Sequence, residues 1–138
     1  MIHALSSFFI YPISDSRVTK TIQVLTQTFC SEYAINQQEN KAGIPGVLMG
    51  RYPGDSYAGG NPWQLLTAVL GKIFYQGASA LVNSDGFQSE TDRNAWVSLL
   101  KLPKSASLEE QVRAALNAGD SVMYRLYQHV KNDNGHIA

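Results

Sequence analysis

GRYPGDSYAGGNPWQLLTAVLGKIFYQGASA, residues 50–80, divides into two physically different halves. Gly50, Gly54, Gly59 and Gly60 with Pro53 and Pro62 exclude a helix from the first half, because glycine loses the most backbone freedom on ordering and proline removes a donor and clashes with the preceding turn. The chain must turn through 50–63. From Asn61-Pro62 onward the character reverses. Asn61 is a good cap for free backbone N–H groups and Pro62 fits a first helical turn, so the residues predict a helix over 62–80. Leu65, Leu66, Val69, Leu70, Ile73, Phe74 and Tyr75 lie on nearly all its sides against Lys72, which calls for neighbours on most of them.

The flanking segments are helical as well. Val18, Ile22, Leu25, Phe29 and Tyr33 recur at steps of three and four after Ser14 or Asp15 as a cap, predicting an amphipathic helix over 16–35 with Lys20, Gln23, Gln27 and Ser31 outward. Residues 36–49 lose that periodicity and end in the turn formers Ala42-Gly43-Ile44-Pro45-Gly46. Beyond a loop at 81–88, Ser89 and Asp92 open a short helix to about Leu100, and Pro103 follows it. Ser107 and Glu110 have capping-box spacing. Leu108, Val112, Leu116, Met123, Leu126 and Val130 then predict a long helix over 107–132, with Gly119 as its weak point and Gly135 as its cap. Residues 1–13, with Phe8, Phe9 and Ile10, read as an irregular or extended apolar lead-in. The class is all-α, with about four helices and long loops in one unit over 1–138.

Composition narrows the partners. Eleven basic and eleven acidic residues balance, so no field gathers nucleic acid or an anionic membrane surface. No apolar run is read as approaching the roughly 20 residues of a bilayer crossing, and no signal peptide is legible, which leaves the compartment open. Cys30 is the single cysteine and reads as a small buried filler. His3, His129 and His136 lack metal-ligand spacing, so neither metal nor cofactor is expected.

Chemistry concentrates in the loop. Arg51, Tyr52, Asp55, Tyr57 and Trp63 combine a planar cationic fork, a carboxylate and flat rings with polar rims. A sugar asks for that combination: its hydroxyls need donors and acceptors, and its C–H face packs on aromatic rings. The residues alone leave other readings open. Arg51 and Asp55 could simply pin the loop as a salt bridge, and Trp63 and Tyr52 could be core.

Gly50-Arg51-Tyr52-Pro53, Asp55, Tyr57 and Gly60-Asn61-Pro62-Trp63 resemble a loop that recurs in glucoamylases of glycoside hydrolase family 15, with weaker echoes at Ile2-His3 and Asn134-Gly135-His136. The resemblance implies part of an (α/α)6 toroid, in which loops joining outer to inner helices build the active site. Helices 16–35 and 107–132 would be outer, and helix 62–80 inner. It implies an α-glucan or maltooligosaccharide substrate, cleaved by a monomeric parent enzyme from non-reducing ends with inversion. Arg51 would bind sugar hydroxyls near the cleavage subsite. Asp55 would accept from a hydroxyl or hold the loop, and Tyr57, Trp63 and Tyr52 would wall the pocket.

An inverting glycosidase needs two carboxylates, one to protonate the leaving oxygen and one to activate water. The family pattern puts the acid upstream of the Arg-Tyr-Pro loop and the base after a segment like Asn134–Ala138. These residues therefore supply binding groups and no catalytic one, as a C-terminal-half fragment of the catalytic domain would, and the isolated chain is expected to be inactive. Two alternatives stand beside this reading: a small all-α glucan-binding module without hydrolytic activity, and a helical scaffold whose loop docks a protein.

Overall fold

A computed structural model describes residues 11–132. The described residues form α1 (Ser16–Glu32), α2 (Ala34–Lys41), α3 (Gln64–Asn83), α4 (Glu90–Leu99) and α5 (Leu108–Asn132), with one short 3-10 turn at Tyr57–Gly59 and no strand among them. The all-α class is as expected. The lead-in at residues 1–10 and the cap at Gly135 lie outside the described residues.

The helix starts follow the side-chain caps. The carboxylate of Asp15 accepts from the Arg17 backbone N–H at 2.8 Å and opens α1. The Ser89 hydroxyl accepts from the Asp92 N–H to open α4. At α5 the capping box closes in both directions: Ser107 Oγ accepts from the Glu110 N–H at 3.2 Å, and Glu110 Oε2 accepts from the Ser107 N–H at 2.7 Å.

Three expectations require correction. The helix expected over 16–35 breaks at Tyr33, whose extended backbone (φ −100°, ψ 118°) ends α1 and begins α2. Residues 36–41, read as aperiodic, are therefore helical. Asn36, Glu39 and Asn40 turn to the buried Arg125 while Gln37, Gln38 and Lys41 are exposed, so no apolar stripe marks them. The helix expected from residue 62 starts at Gln64 with Trp63 at the cap position, while Asn61 turns its amide to the Ala58 carbonyl at 3.2 Å. On α5 the buried face runs Gln111, Ala115, Val122 and Arg125, and Leu116 and Met123 of the expected stripe are exposed.

α3 packs along α5, and α1 packs on α4 and α2. The core gathers Ile22, Phe29, Leu70, Phe74, Leu81, Phe87, Trp96, Ala115 and Val122. Two glycines set the closeness of the packing. A Cβ on Gly77 would sit 2.0 Å from the Trp96 ring, and one on Gly119 would sit 2.7 Å from the Tyr75 ring. Gly119, the supposed weak point of its helix, is thus where α5 admits Tyr75. The Tyr75 hydroxyl then donates to Asp120 at 2.7 Å.

α3 alone among the described helices is long and apolar enough to cross a membrane by length and composition, which corrects the expectation that no apolar run approaches that length. It buries Leu70, Phe74, Ala78 and Leu81 against the other helices. Its other side leaves Leu65, Val69 and Val82 exposed, so the neighbours its sequence calls for are only partly supplied by the described residues.

Candidate functional site

The loop between α2 and α3 is drawn together at its base. The Trp63 N–H donates to the Met49 carbonyl at 2.7 Å, which makes the two ends neighbours and pushes residues 50–62 outward. Glycine is required where the loop leaves the core: a Cβ on Gly50 would stand 1.9 Å from Tyr33 Oη, so the backbone rests on that hydroxyl. Gly60 takes φ 72°, in the left-handed region, with the Asp55 carbonyl 3.0 Å from where its Cβ would be.

Within the loop, Arg51 Nε donates to Asp55 Oδ2 at 2.6 Å and Nη2 donates to Oδ1 at 2.7 Å, a two-point pairing of planar fork and carboxylate. Asp55 Oδ1 also accepts from the Tyr57 N–H at 3.1 Å, and the Asp55 side chain is only 4% exposed. The Arg51 fork, followed by the Tyr57 N–H, holds the Asp55 carboxyl below its usual 3.8. The same pairing raises Arg51. Of the two roles the resemblance offers Asp55, the geometry displays the loop-holding one.

Arg51 is left with capacity. Of five guanidinium donors, two point to Asp55, and three remain on its outer edge. Its central carbon lies 4.6 Å from the Trp63 ring centre, 4.9 Å from Tyr57 and 5.4 Å from Tyr52. Tyr57 and Trp63 stack at 5.8 Å with planes 29° apart. A cation among ring faces is stabilised by their quadrupoles. Tyr52 and Tyr57 are more than half exposed, Arg51 is about one-third exposed, and Trp63 is half-buried. Arg51, Tyr52, Tyr57 and Trp63 therefore meet on one outward surface, with Asp55 buried behind Arg51. That surface offers hydrogen-bond donors flanked by apolar ring faces, and the Asp55 carboxylate behind it is taken up by Arg51 and the Tyr57 N–H.

Support comes from residues the sequence reading passed over. Glu32, at the end of α1, accepts from the Gly54 N–H at 2.6 Å. Burial, with the Asp55 and Glu32 carboxylates nearby, pushes the Tyr33 hydroxyl up. Thr67 Oγ1 accepts from the Met49 N–H at 2.9 Å and donates to the Trp63 carbonyl at 3.0 Å, closing the loop base from α3. A threonine on the buried face of an otherwise apolar helix was the available signal. Among the described residues no cluster of His, Cys, Asp and Glu could hold a metal ion.

Comparison with known proteins finds similarity to glucoamylases. The chain is similar to Glucoamylase P of Amorphotheca resinae, 40% identical over 83 residues, which cover 52% of this chain and 13% of that protein. It is 33% identical over 85 residues to a probable glucoamylase of Schizosaccharomyces pombe, covering 58% of this chain and 17% of the relative. It is also 37% identical over 71 residues to an intracellular sporulation-specific glucoamylase of Saccharomyces cerevisiae, 48% of this chain and 13% of the relative. The chain thus carries a glucoamylase-like segment and spans less than a fifth of the length of these curated relatives. No family model matches it, and no solved structure matches it significantly.

Proposed function

We propose that this chain is part of the catalytic domain of a glucoamylase-type glycoside hydrolase, to which it contributes a substrate-binding loop and neither catalytic carboxylate. The parent enzyme would release glucose from the non-reducing ends of starch-like α-1,4 glucans with inversion. One observation carries the reading: the outer edge of Arg51 stands among the faces of Tyr52, Tyr57 and Trp63 on an outward loop. Three remaining donors suit vicinal sugar hydroxyls, and the rings suit a pyranose face. The names of the similar proteins support the hydrolase assignment.

Titration of the labelled full chain with maltose, followed by amide NMR, tests the reading. Shifts are expected at Arg51, Tyr52, Tyr57 and Trp63, and Arg51→Ala should abolish them with the helical circular dichroism unchanged. Saturating millimolar maltose that leaves those four signals in place refutes it. No glucose should be released from soluble starch, and measurable release would overturn the assignment of both catalytic carboxylates to other segments. A glucan-holding module without hydrolysis is the second reading. It draws on the bracing of the loop by α1 and α3 of the same chain, and submillimolar maltose affinity would favour it.

A further inference from the structure

Arg125 is fully buried near the end of α5, where an arginine ordinarily reaches solvent. Its Nε donates to the Pro45 carbonyl at 3.0 Å and Nη1 donates to Asn36 Oδ1 at 2.9 Å. Nη2 reaches Asn40 Oδ1 at 2.7 Å and also the Ile44 carbonyl. Glu39 Oε2, 3.3 Å away, balances the charge, and its other oxygen meets His129 Nε2 at 2.8 Å. α2 supplies Asn36, Glu39 and Asn40 at helical spacings, so all three present to one guanidinium.

Two of these acceptors are backbone carbonyls of the limb that climbs from α2 to the loop. Asn36, itself held by Arg125, grips the same limb further on. It accepts from the Leu48 N–H at 2.8 Å and donates to the Leu48 carbonyl at 2.9 Å. The limb also lies flush on α5, since a Cβ on Gly46 would be 2.6 Å from the Ser121 carbonyl oxygen. Met49, next in the chain, carries the Trp63 contact that closes the loop.

We propose that Arg125 is a positioning residue for the candidate sugar-binding loop, fixing through Ile44, Pro45 and Asn36 the height at which Arg51 and Trp63 are presented. A hydrophobic residue could fill the space, but it could not satisfy two carbonyls and two amide oxygens at once. A lysine could not span them either, because its three donors radiate from one point. The effect on sugar binding rests on the function proposed above, whereas the effect on the loop does not.

The test is Arg125→Lys in the full chain, with amide hydrogen exchange and maltose titration read together. The amides of Leu48, Met49 and Trp63 are expected to exchange about 10- to 100-fold faster, the range set by hydrogen bonds to a charged group. Phe74 and Leu81 in α3 should keep their protection, and maltose affinity should fall about tenfold. Unchanged protection at Leu48 and Met49 overturns the proposal, as does faster exchange there with full maltose affinity. If the loop amides respond but the unmodified chain binds no maltose, the anchoring stands and the glucan reading fails. If Arg125→Lys loses its helices altogether, Asn40→Ala, which removes one acceptor from an exposed side chain, should speed the same three amides by a smaller factor. No change in that variant counts against the proposal.

Discussion

Gly77→Ala is expected to destabilise the protein although it improves the helix. The replacement raises the intrinsic helical preference of α3 by about 1 kcal/mol. The new Cβ, however, would lie 2.0 Å from Trp96 Cη2 and 2.4 Å from Cζ2, where carbon atoms ordinarily rest about 3.5–4.0 Å apart. The indole would have to retreat by roughly 1.5 Å on that spacing. It has no room, because Trp96 is wholly buried, with Phe87 edge-on at 5.7 Å and Phe74 at 6.4 Å. Overpacking of this kind costs about 1–3 kcal/mol, so the rigid-ring clash should exceed the gain.

Gly71→Ala is the internal control on the same helix. Its Cβ would meet Met123 Sδ at 3.0 Å and Cγ at 3.2 Å, the far end of a flexible side chain that is 38% exposed and can swing outward. There the propensity gain should prevail and leave the variant neutral or slightly more stable. Urea unfolding followed by tryptophan fluorescence and circular dichroism should separate the two by about 2 kcal/mol, with a melting difference of several degrees. A Gly77→Ala protein as stable as Gly71→Ala would refute the reasoning about Trp96.

The loop's pH dependence follows from Asp55. Its carboxyl titrates below 3.8 in the folded chain, so its contribution is complete above 3.8 and is lost only as pH falls beneath that value toward the lowered one. The Tyr57 amide, which donates to this carboxylate, should therefore titrate by NMR with a midpoint below 3.8, and a midpoint at or above 3.8 would contradict the pairing. Ser107→Ala removes one half of the capping box of α5 and should cost about 1 kcal/mol in urea unfolding. Unaltered stability would mean that the cap is replaced by water at no loss.

The sequence made the helices legible where a local rule governed them. Asp15, Ser89 and the Ser107–Glu110 box each act within three residues, so spacing alone reveals them. The loop was legible for a similar reason: Arg51 and Asp55 are close in sequence, and the glycines and prolines between and around them leave few conformations. What escaped was long-range and polar. Asn36 and Arg125 are 89 residues apart, and neither stands out in the sequence, because polar residues usually face solvent. Only their mutual satisfaction permits burial, and a pattern scored one residue at a time cannot register that. The same blindness misassigned the inner face of α5. Ala115 and Gly119 lie inward there because close approach to α3 requires small residues, and Arg125 lies inward because α2 and the Ile44–Pro45 carbonyls satisfy its fork, while Leu116 and Met123 are exposed.

The bond between Met49 and Trp63 closes the segment above it at its base, and the Glu32 carboxylate of α1 ties that segment a second time at the Gly54 N–H. Because closing a longer segment costs free energy that grows only with the logarithm of its length, residues at the exposed tip around Ala58 and Gly59 can be added or removed with little strain reaching α1, α3 or α5. Variation in what the surface grips can thus accumulate at the tip, while the framework beneath conserves its geometry.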